Sequence, residues 1–176
     1  TELGQGADTF RGGPGWEIVW AGKALLREDA GPDDARDAET DDIWTGDGAD
    51  AVVVGEPGTE LTDRVDTGAG GDDVTSYATG MTNDAILALG EGTDRLAFVW
   101  PTDPTGRWVL DNRTGAGSLE GTQRLQWSAA ESFDLPEPGP GAVSFVGSDA
   151  DEVVLASGFA DVDLGGGDDT FVQTTS

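Results

Sequence analysis

The chain has 176 residues, of which 35 are acidic and nine are Lys or Arg, so its formal net charge is −26. A surface this acidic repels nucleic acid and anionic membranes. The absence of cysteine excludes a disulfide framework, thiol catalysis and a cysteine-ligated zinc site. Glycine supplies 28 residues, more than twice its usual share of about 7%, which is typical of a chain with frequent sharp turns.

Residues 3–20 contain two nine-residue units in tandem. The first reads Leu3-Gly-Gln-Gly-Ala-Asp8-Thr-Phe10-Arg, and the second reads Gly12-Gly-Pro-Gly-Trp-Glu17-Ile-Val19-Trp. In each unit a glycine-rich run precedes an acid, and an apolar residue follows the acid by two positions. An acidic insert, residues 21–40, comes next, and its run of charges predicts a solvated loop.

Residues 41–97 repeat with a period of 22. The segments Thr45-Gly-Asp-Gly-Ala-Asp50-Ala-Val52, Thr67-Gly-Ala-Gly-Gly-Asp72-Asp-Val74 and Leu89-Gly-Glu-Gly-Thr-Asp94-Arg-Leu96 align residue by residue. A weaker series accompanies them, in which an acid again precedes an apolar residue by two positions: Asp41 with Ile43, Asp63 with Val65, and Asp84 with Ile86. A fixed period of this length predicts a solenoid.

An aromatic-rich insert, residues 98–145, interrupts the repeats. Two strand-like stretches within it, around residues 107–111 and 118–127, are joined by a glycine-containing turn and predict a hairpin-like segment that packs on the solenoid or covers one end. The repeats resume over residues 146–172, where Asp151 and Asp169 are 18 residues apart. The whole chain is therefore predicted to form a single repeat domain.

The repeated acids carry an electrostatic argument. In a parallel β-solenoid, equivalent residues of neighbouring windings lie about 4.8 Å apart, so Asp50, Asp72 and Asp94 would form a column of like charges. Nine basic residues cannot neutralise 35 acids. Ca²⁺ suits this setting because it takes about 6 to 8 oxygen ligands, including the main-chain carbonyls that glycine turns expose.

Two plainer interpretations compete with calcium binding. Gly-Asp pairs are ordinary turn chemistry, and an acidic, lysine-poor surface is also an adaptation to high salt. The motif nevertheless appears at least six times with its apolar residue in register, which favours a repeat over coincidence. Of the six tryptophans, Trp16 and Trp127 are predicted to pack in the core or a cap, while Trp20 and Trp44 are the best candidates for an interface.

The unit Gly-Gly-x-Gly-x-Asp-x-apolar-x resembles the RTX, or haemolysin-type, calcium-binding nonapeptide. The resemblance implies an all-β, right-handed parallel β-roll or β-helix solenoid, here with the inserted hairpin-like segment, that binds several Ca²⁺ ions. It implies ligand roles for the acids Asp8, Glu17, Asp50, Asp63, Asp72, Asp84, Asp94, Asp151 and Asp169. It implies carbonyl ligands from the turn glycines Gly46, Gly48, Gly68, Gly70, Gly90, Gly92, Gly165 and Gly167.

The resemblance also implies the inward strand positions, which are Phe10, Val19, Val52, Val65, Val74, Ile86, Leu96, Val153 and Phe171. Two features depart from the family pattern: the central windings have 22 residues where the family has 18, and several turns lack the first glycine. Proteins with these repeats are exported and bind calcium outside the cell. The resemblance therefore implies a secreted, extracellular protein of bacterial origin at a cell surface or in a matrix.

Three classes of function remain open on the sequence. The first is a calcium-dependent structural or adhesive module, an adhesin segment or a subunit of a surface layer or filament, whose partner is another copy, an extracellular protein or a glycan. The second is the non-catalytic export and stability domain of a secreted hydrolase. The third, a polysaccharide-acting enzyme, is disfavoured because without histidine and cysteine few groups titrate near neutral pH. We therefore predict no catalytic residues, no bound organic cofactor and no insertion into a membrane.

Overall fold

The computed structural model describes residues 1–4, 6–21, 39–55, 60–77, 80–81, 85–99, 106–135, 143–157 and 161–174. Across these residues the protein is all-β. None of them belongs to a helix, so the described chain has no helix that could cross a membrane. The strands are β1 Thr9–Arg11, β2 Ile18–Trp20, β3 Asp42–Trp44, β4 Ala51–Val54, β5 Glu60–Leu61, β6 Arg64–Asp66, β7 Ala69–Gly70, β8 Asp73–Ser76, β9 Gly80–Met81, β10 Ile86–Ala88, β11 Glu91–Gly92, β12 Arg95–Phe98, β13 Trp108–Asp111, β14 Ala116–Leu119, β15 Thr122–Ser128, β16 Ser132–Leu135, β17 Val143–Val146, β18 Val153–Ser157, β19 Asp161–Asp163 and β20 Thr170–Thr174.

Two large sheets account for most of the described strands. The first sheet has the strand order β1-β3-β6-β10-β15-β14-β13-β17-β19, and the second sheet has the order β2-β4-β8-β12-β16-β18-β20. Every pairing in the second sheet is parallel. Apart from two short two-stranded sheets and the three consecutive first-sheet strands β13, β14 and β15, the chain passes alternately through the first and second sheets. Each pass through the two sheets, here called a winding, lies beside an earlier one. This arrangement of long parallel sheets is compatible with a β-helix or β-roll.

The parallel register stacks apolar side chains between the two sheets. In the second sheet one column of paired residues contains Val19, Val52, Val74, Leu96, Phe133, Val154 and Phe171. Five strands of the first sheet align Phe10, Ile43, Val65, Leu87 and Trp127. Alternate residues of each strand point inward because a β-strand has a period of two.

Most of the predicted inward residues are confirmed, but three are not. Ile86 is 43% exposed, whereas Leu87 is buried and pairs with Val65. Val153 is 41% exposed, whereas its neighbour Val154 is buried. Both errors are slips of one residue, which exchange the two faces of a strand. Phe171 belongs to the predicted column but is 40% exposed because β20 is the outermost strand of the second sheet.

The aromatic-rich insert contributes three strands to the first sheet. Strands β13, β14 and β15 pair antiparallel with one another, while β15 pairs parallel with β10 and β13 pairs parallel with β17. The insert is therefore part of the sheet between two windings.

Tryptophans divide between the core and the surface. Trp108 and Trp127 are buried, and Trp127 packs edge-on against Phe98 and Phe133 at centroid distances of 6.0 and 6.2 Å. The prediction that Trp127 packs in the core is thus confirmed. The same prediction for Trp16 is wrong, because Trp16 is 70% exposed at the tip of a turn.

Candidate functional site

Four six-residue turns connect the first sheet to the second, one above another. They are residues 12–17, 45–50, 67–72 and 89–94, and we call them the turn stack. Main-chain bonds join neighbouring turns: the N–H of Gly48 donates to Ala69 at 2.7 Å, and the N–H of Ala69 donates to Gly46 at 3.1 Å. Two further turns, 147–152 and 164–169, align in the same way near the end of the chain.

Glycine is required in the turn stack because successive turns are too close for a side chain. A Cβ added to Gly70 would lie 1.5 Å from the carbonyl oxygen of Gly48, and one added to Gly92 would lie 1.4 Å from that of Gly70. Seven of the eight glycines predicted as carbonyl ligands also have positive φ angles, the exception being Gly70. All eight lie in aligned turns, two of them in the turn 164–169.

The predicted column of aspartates is present and forms a hydrogen-bonded line that we call the first acid ladder. Its members are Glu17, Asp50, Asp72, Asp94 and Glu131. At each step the backbone N–H of one acid donates to the carboxylate of the acid in the next winding, at 2.8 to 2.9 Å. Asp50, Asp72 and Asp94 are at most 2% exposed. The ladder therefore stitches windings together through side-chain to main-chain bonds.

The first acid ladder includes one acid that the sequence prediction omitted. Glu131 occupies the position after Asp94, although they are 37 residues apart, because it directly precedes β16, which pairs with β12. The local pattern of Glu131 followed two residues later by the buried Phe133 is the signal that could have identified it.

A separate acid pair lies in the last two turns. The N–H of Glu152 donates to the carboxylate of Asp169 at 2.9 Å, and Glu152 is 1% exposed. The predicted ligand Asp151 is exposed and accepts a bond from the N–H of Asp168 at 2.8 Å. Asp169 therefore stands at its predicted position, whereas Glu152 takes the place that the sequence assigned to Asp151.

The second acid ladder lies at the start of the first-sheet strands. The N–H of Asp8 donates to Asp41 at 2.9 Å, and the N–H of Asp41 donates to Asp63 at 3.0 Å. Asp41 belonged to the predicted periodic series but not to the predicted ligands. In the next winding the N–H of Ile86 bonds to the carbonyl of Asp63, so the apolar Ala85 stands at the equivalent position. Asp84, which was predicted as a ligand, lies outside the described residues.

Threonine occupies the first position of two turns in the stack, 45–50 and 67–72. The hydroxyl of Thr45 donates to the carbonyl of Thr67 at 3.0 Å, and that of Thr67 donates to the carbonyl of Leu89 at 2.6 Å. Both threonines are fully buried. Their hydroxyls therefore link consecutive windings at the position where the turn begins.

Several acids of the ladders and of the acid pair have one buried carboxylate oxygen with no hydrogen-bond partner in the protein. In Asp50, Asp72 and Asp94 one carboxylate oxygen accepts the ladder bond, while the other is buried without a hydrogen-bond partner. Asp8, Glu17 and Glu152, which donate their N–H groups to the ladders or the acid pair, also have one buried carboxylate oxygen without a partner. Burying an uncompensated carboxylate oxygen costs free energy. Burial raises the pKa of Asp94, the bond from the N–H of Asp72 opposes that rise, and the charges of Asp72 and Glu131 add to it.

The turn stack places main-chain oxygens beside these carboxylates. The position of the absent Gly70 Cβ lies 1.5 Å from the carbonyl oxygen of Gly48 and 3.2 Å from a carboxylate oxygen of Asp72. The equivalent position at Gly92 lies 1.4 Å from the carbonyl oxygen of Gly70 and 3.3 Å from Asp94. Carbonyl and carboxylate oxygens are the ligands that Ca²⁺ prefers, so the donor set fits this ion.

The acids do not converge into a compact side-chain cluster. Within the described ranges no group of three or more Asp, Glu, His or Cys side chains is arranged to hold a metal ion. An ion at the turn stack would therefore depend largely on main-chain carbonyls, with one or two carboxylates from the ladder.

Comparison of the chain with protein-family models, with curated proteins and with solved structures finds no match. The case for a function therefore comes from the geometry of the ladders and turns.

Proposed function

We propose that this protein is a right-handed parallel β-solenoid whose turn stack binds several Ca²⁺ ions, and that it serves as an extracellular structural or adhesive module. One observation carries the proposal: along the first acid ladder, buried carboxylate oxygens have no hydrogen-bond partner. The periodic sequence and the alternation of most of the chain between two largely parallel sheets support the solenoid.

The charge balance of the ladder favours a bound cation. Asp50, Asp72 and Asp94 lie in consecutive windings and are almost inaccessible to solvent, so water screens their mutual repulsion poorly. The guanidinium of Arg95, which directly follows Asp94, bridges Asp73 and Asp134 on the outer face of the second sheet at 2.7 and 2.6 Å. A divalent ion would neutralise the inner acids that Arg95 does not reach.

The residues of the turn stack have distinct roles in this proposal. Asp50, Asp72 and Asp94 orient their carboxylates through the ladder bonds, which leaves the second oxygen of each available. Gly48 and Gly70 provide carbonyl oxygens that face the next turn at close range, because Gly70 and Gly92 in those turns have no Cβ. The bound ion would supply positive charge, so that binding free energy becomes free energy of folding.

Calcium titration of chelator-treated protein tests this proposal. We expect β-structure, followed by circular dichroism, to increase cooperatively with a calcium midpoint of about 0.1 to 1 mM, as in extracellular calcium modules. Mg²⁺ should act more weakly. Isothermal titration calorimetry should show calcium binding over the same range. A β-rich spectrum in chelator that calcium leaves unchanged, together with no heat of binding, would refute the proposal.

Two neighbouring substitutions separate a metal ligand from general acidity. Asp72→Asn keeps an oxygen that can accept the ladder bond but removes the negative charge, whereas Asp73→Asn removes an outer acid that pairs with Arg95. We expect Asp72→Asn to raise the calcium midpoint about tenfold and Asp73→Asn to leave it unchanged. Equal shifts for the two variants would mean that net charge, and not a ladder site, governs the calcium response.

Solution assembly tests the structural or adhesive part of the proposal. Sedimentation velocity in calcium and in chelator would measure the mass of the particle under each condition. Calcium-dependent self-association would support a subunit of a layer or filament, while a monomer in both conditions would favour a module that binds a different molecule.

A further inference from the structure

A shallow groove crosses the outer face of the first sheet, beside the second acid ladder, whose members Asp41 and Asp63 directly precede Asp42 and Arg64 of the groove. It has a volume of about 210 Å³ and is lined by side chains of β3, β6 and β10. Two rows of in-register residues form it: Asp42, Arg64 and Ile86 in one row, and Trp44, Asp66 and Ala88 in the other. This volume is below the roughly 300 to 1,000 Å³ of pockets for drug-sized ligands, so it suits a single small ring.

The indole of Trp44 is held in place on one side. The guanidinium of Arg11 lies 4.5 Å from its ring centroid, which is a cation–π contact. Across the sheet the row runs from Arg11 to Trp44, Asp66 and Ala88. Because Arg11 covers one face of the indole, a ligand in the groove that Trp44 lines with Asp66 and Ala88 can stack only on the opposite face.

Polar groups of both signs surround this aromatic face. Asp42 and Arg64 are loosely paired at 3.7 Å, and their side chains are 39% and 55% exposed. Asp66 is also exposed. The groove thus offers carboxylate acceptors, guanidinium donors and an apolar wall within the span of a few residues.

We propose that this groove binds a neutral hexopyranose unit of a glycan. The C–H face of the sugar would stack on Trp44 beside Ile86, while its hydroxyl groups would donate to Asp66 and accept from Arg64. A neutral polyhydroxylated ring matches mixed donors and acceptors. The net charge of −26 repels uronic acid polymers, and the guanidinium groups of Arg11 and Arg64 balance the carboxylates of Asp42 and Asp66, so the groove itself has no excess of negative charge that would select a cationic ring.

The proposal does not depend on calcium in the turns. The groove consists of outward side chains of β3, β6 and β10, whereas the calcium sites proposed above lie in the turn stack that connects these strands to the second sheet. Binding is therefore measured in calcium, with circular dichroism confirming for every variant that the sheets are intact. In this way a loss of glycan binding is distinguished from a failure of the protein to fold.

Titration calorimetry with maltohexaose, cellohexaose, mannohexaose and chitohexaose tests the proposal, with oligogalacturonate and chitosan oligomers as charged comparators. We expect at least one neutral oligosaccharide to bind, with an affinity that falls about tenfold or more in Trp44→Ala and less in Trp44→Phe. Trp16→Ala is the matched control, because Trp16 is the more exposed tryptophan and lies in a turn outside the groove. It should bind like the original protein.

Three results would overturn the assignment. The first is no binding of any neutral oligosaccharide up to about 10 mM. The second is binding that Trp44→Ala leaves intact, or that Trp16→Ala weakens equally. The third is a change of occupant. Binding of the charged oligomers alone would show that the ligand is not neutral, and self-association in sedimentation that Trp44→Ala abolishes would show that a second copy of the chain occupies the groove.

Discussion

Adding a single methyl group at Gly70 should force two windings apart. The new Cβ would lie 1.5 Å from the carbonyl oxygen of Gly48 and 2.5 Å from its carbonyl carbon, whereas real Cβ contacts essentially never fall under 3.0 Å. Gly70 does not have a positive φ, so this collision, and not backbone strain, dominates the effect.

The size of the effect follows from the bonds that hold the turn. A displacement of roughly 1.5 Å would break the bonds of Ala69 with Gly46 and Gly48, which are 3.1 and 2.7 Å long. Losing two such bonds costs about 0.5 to 1.5 kcal/mol each. Overpacking adds about 1 to 3 kcal/mol. We therefore expect Gly70→Ala to lower the free energy of unfolding by roughly 2 to 6 kcal/mol.

Gly71→Ala is the matched control, because it adds the same methyl group to the next residue of the same turn. The nearest atom to its Cβ would be the carbonyl oxygen of Thr93 at 3.5 Å, an ordinary contact, and Gly71 has no positive φ. Its stability should change by less than about 1 kcal/mol.

Urea denaturation at saturating calcium, followed by circular dichroism, measures both variants. Gly70→Ala should lower the midpoint by roughly 1 to 3 M with little change in slope, and Gly71→Ala should unfold like the original protein. If the two variants lose equal stability, or if neither loses any, the close stacking of the turns is not what makes glycine necessary there.

Three further predictions concern single side chains. Thr67→Val should lower the free energy of unfolding by about 0.5 to 1.5 kcal/mol by removing a buried hydroxyl bond, whereas Thr93→Val at an exposed turn position should have little effect in the same urea assay. Arg95→Met should lower the free energy of unfolding by about 1 kcal/mol or less. The loss should shrink in high salt, because salt screens the repulsion between Asp73 and Asp134, the two carboxylates that Arg95 no longer bridges. A loss that does not depend on salt would point to packing instead. Hydrogen bonding and charge from Arg113 lower the pKa of Asp111, so this pair stabilises the protein above the ordinary carboxyl pKa and the contribution disappears as the pH falls through the lowered value. Carboxyl NMR titration should show the pKa of Asp111 rising in Arg113→Met, and an unchanged value would contradict the pairing.

The ladder positions were predictable wherever the repeat was regular. Asp50, Asp72 and Asp94 recur every 22 residues, and each is followed two positions later by an inward residue, so a count along the chain locates them. The glycines that precede these acids in each turn were predictable too, since the close approach of neighbouring turns excludes other residues.

The same count along the chain failed where the spacing of the acids was irregular. The series Asp41, Asp63 and Asp84 suggested that Ile86 points inward, but the structure keeps the spacing of 22 from Val65 and buries Leu87. Asp151 and Glu152 are consecutive acids, and each fits the local motif, in which an apolar residue follows the acid by two positions. The choice between them depends on which N–H reaches Asp169 in the next winding, and that is a contact across 17 residues of chain.

Local order in this protein follows from the amino acid sequence: the period, the glycine turns, the all-β character and the excess of acid are all properties of short segments. The tertiary structure decided which acids align, that Glu131 within the aromatic-rich insert continues a ladder, and that Trp16 is exposed while Trp127 is buried. The physical reason is that a turn specifies only its own conformation, whereas register and burial depend on hydrogen bonds and packing between windings that are distant in sequence.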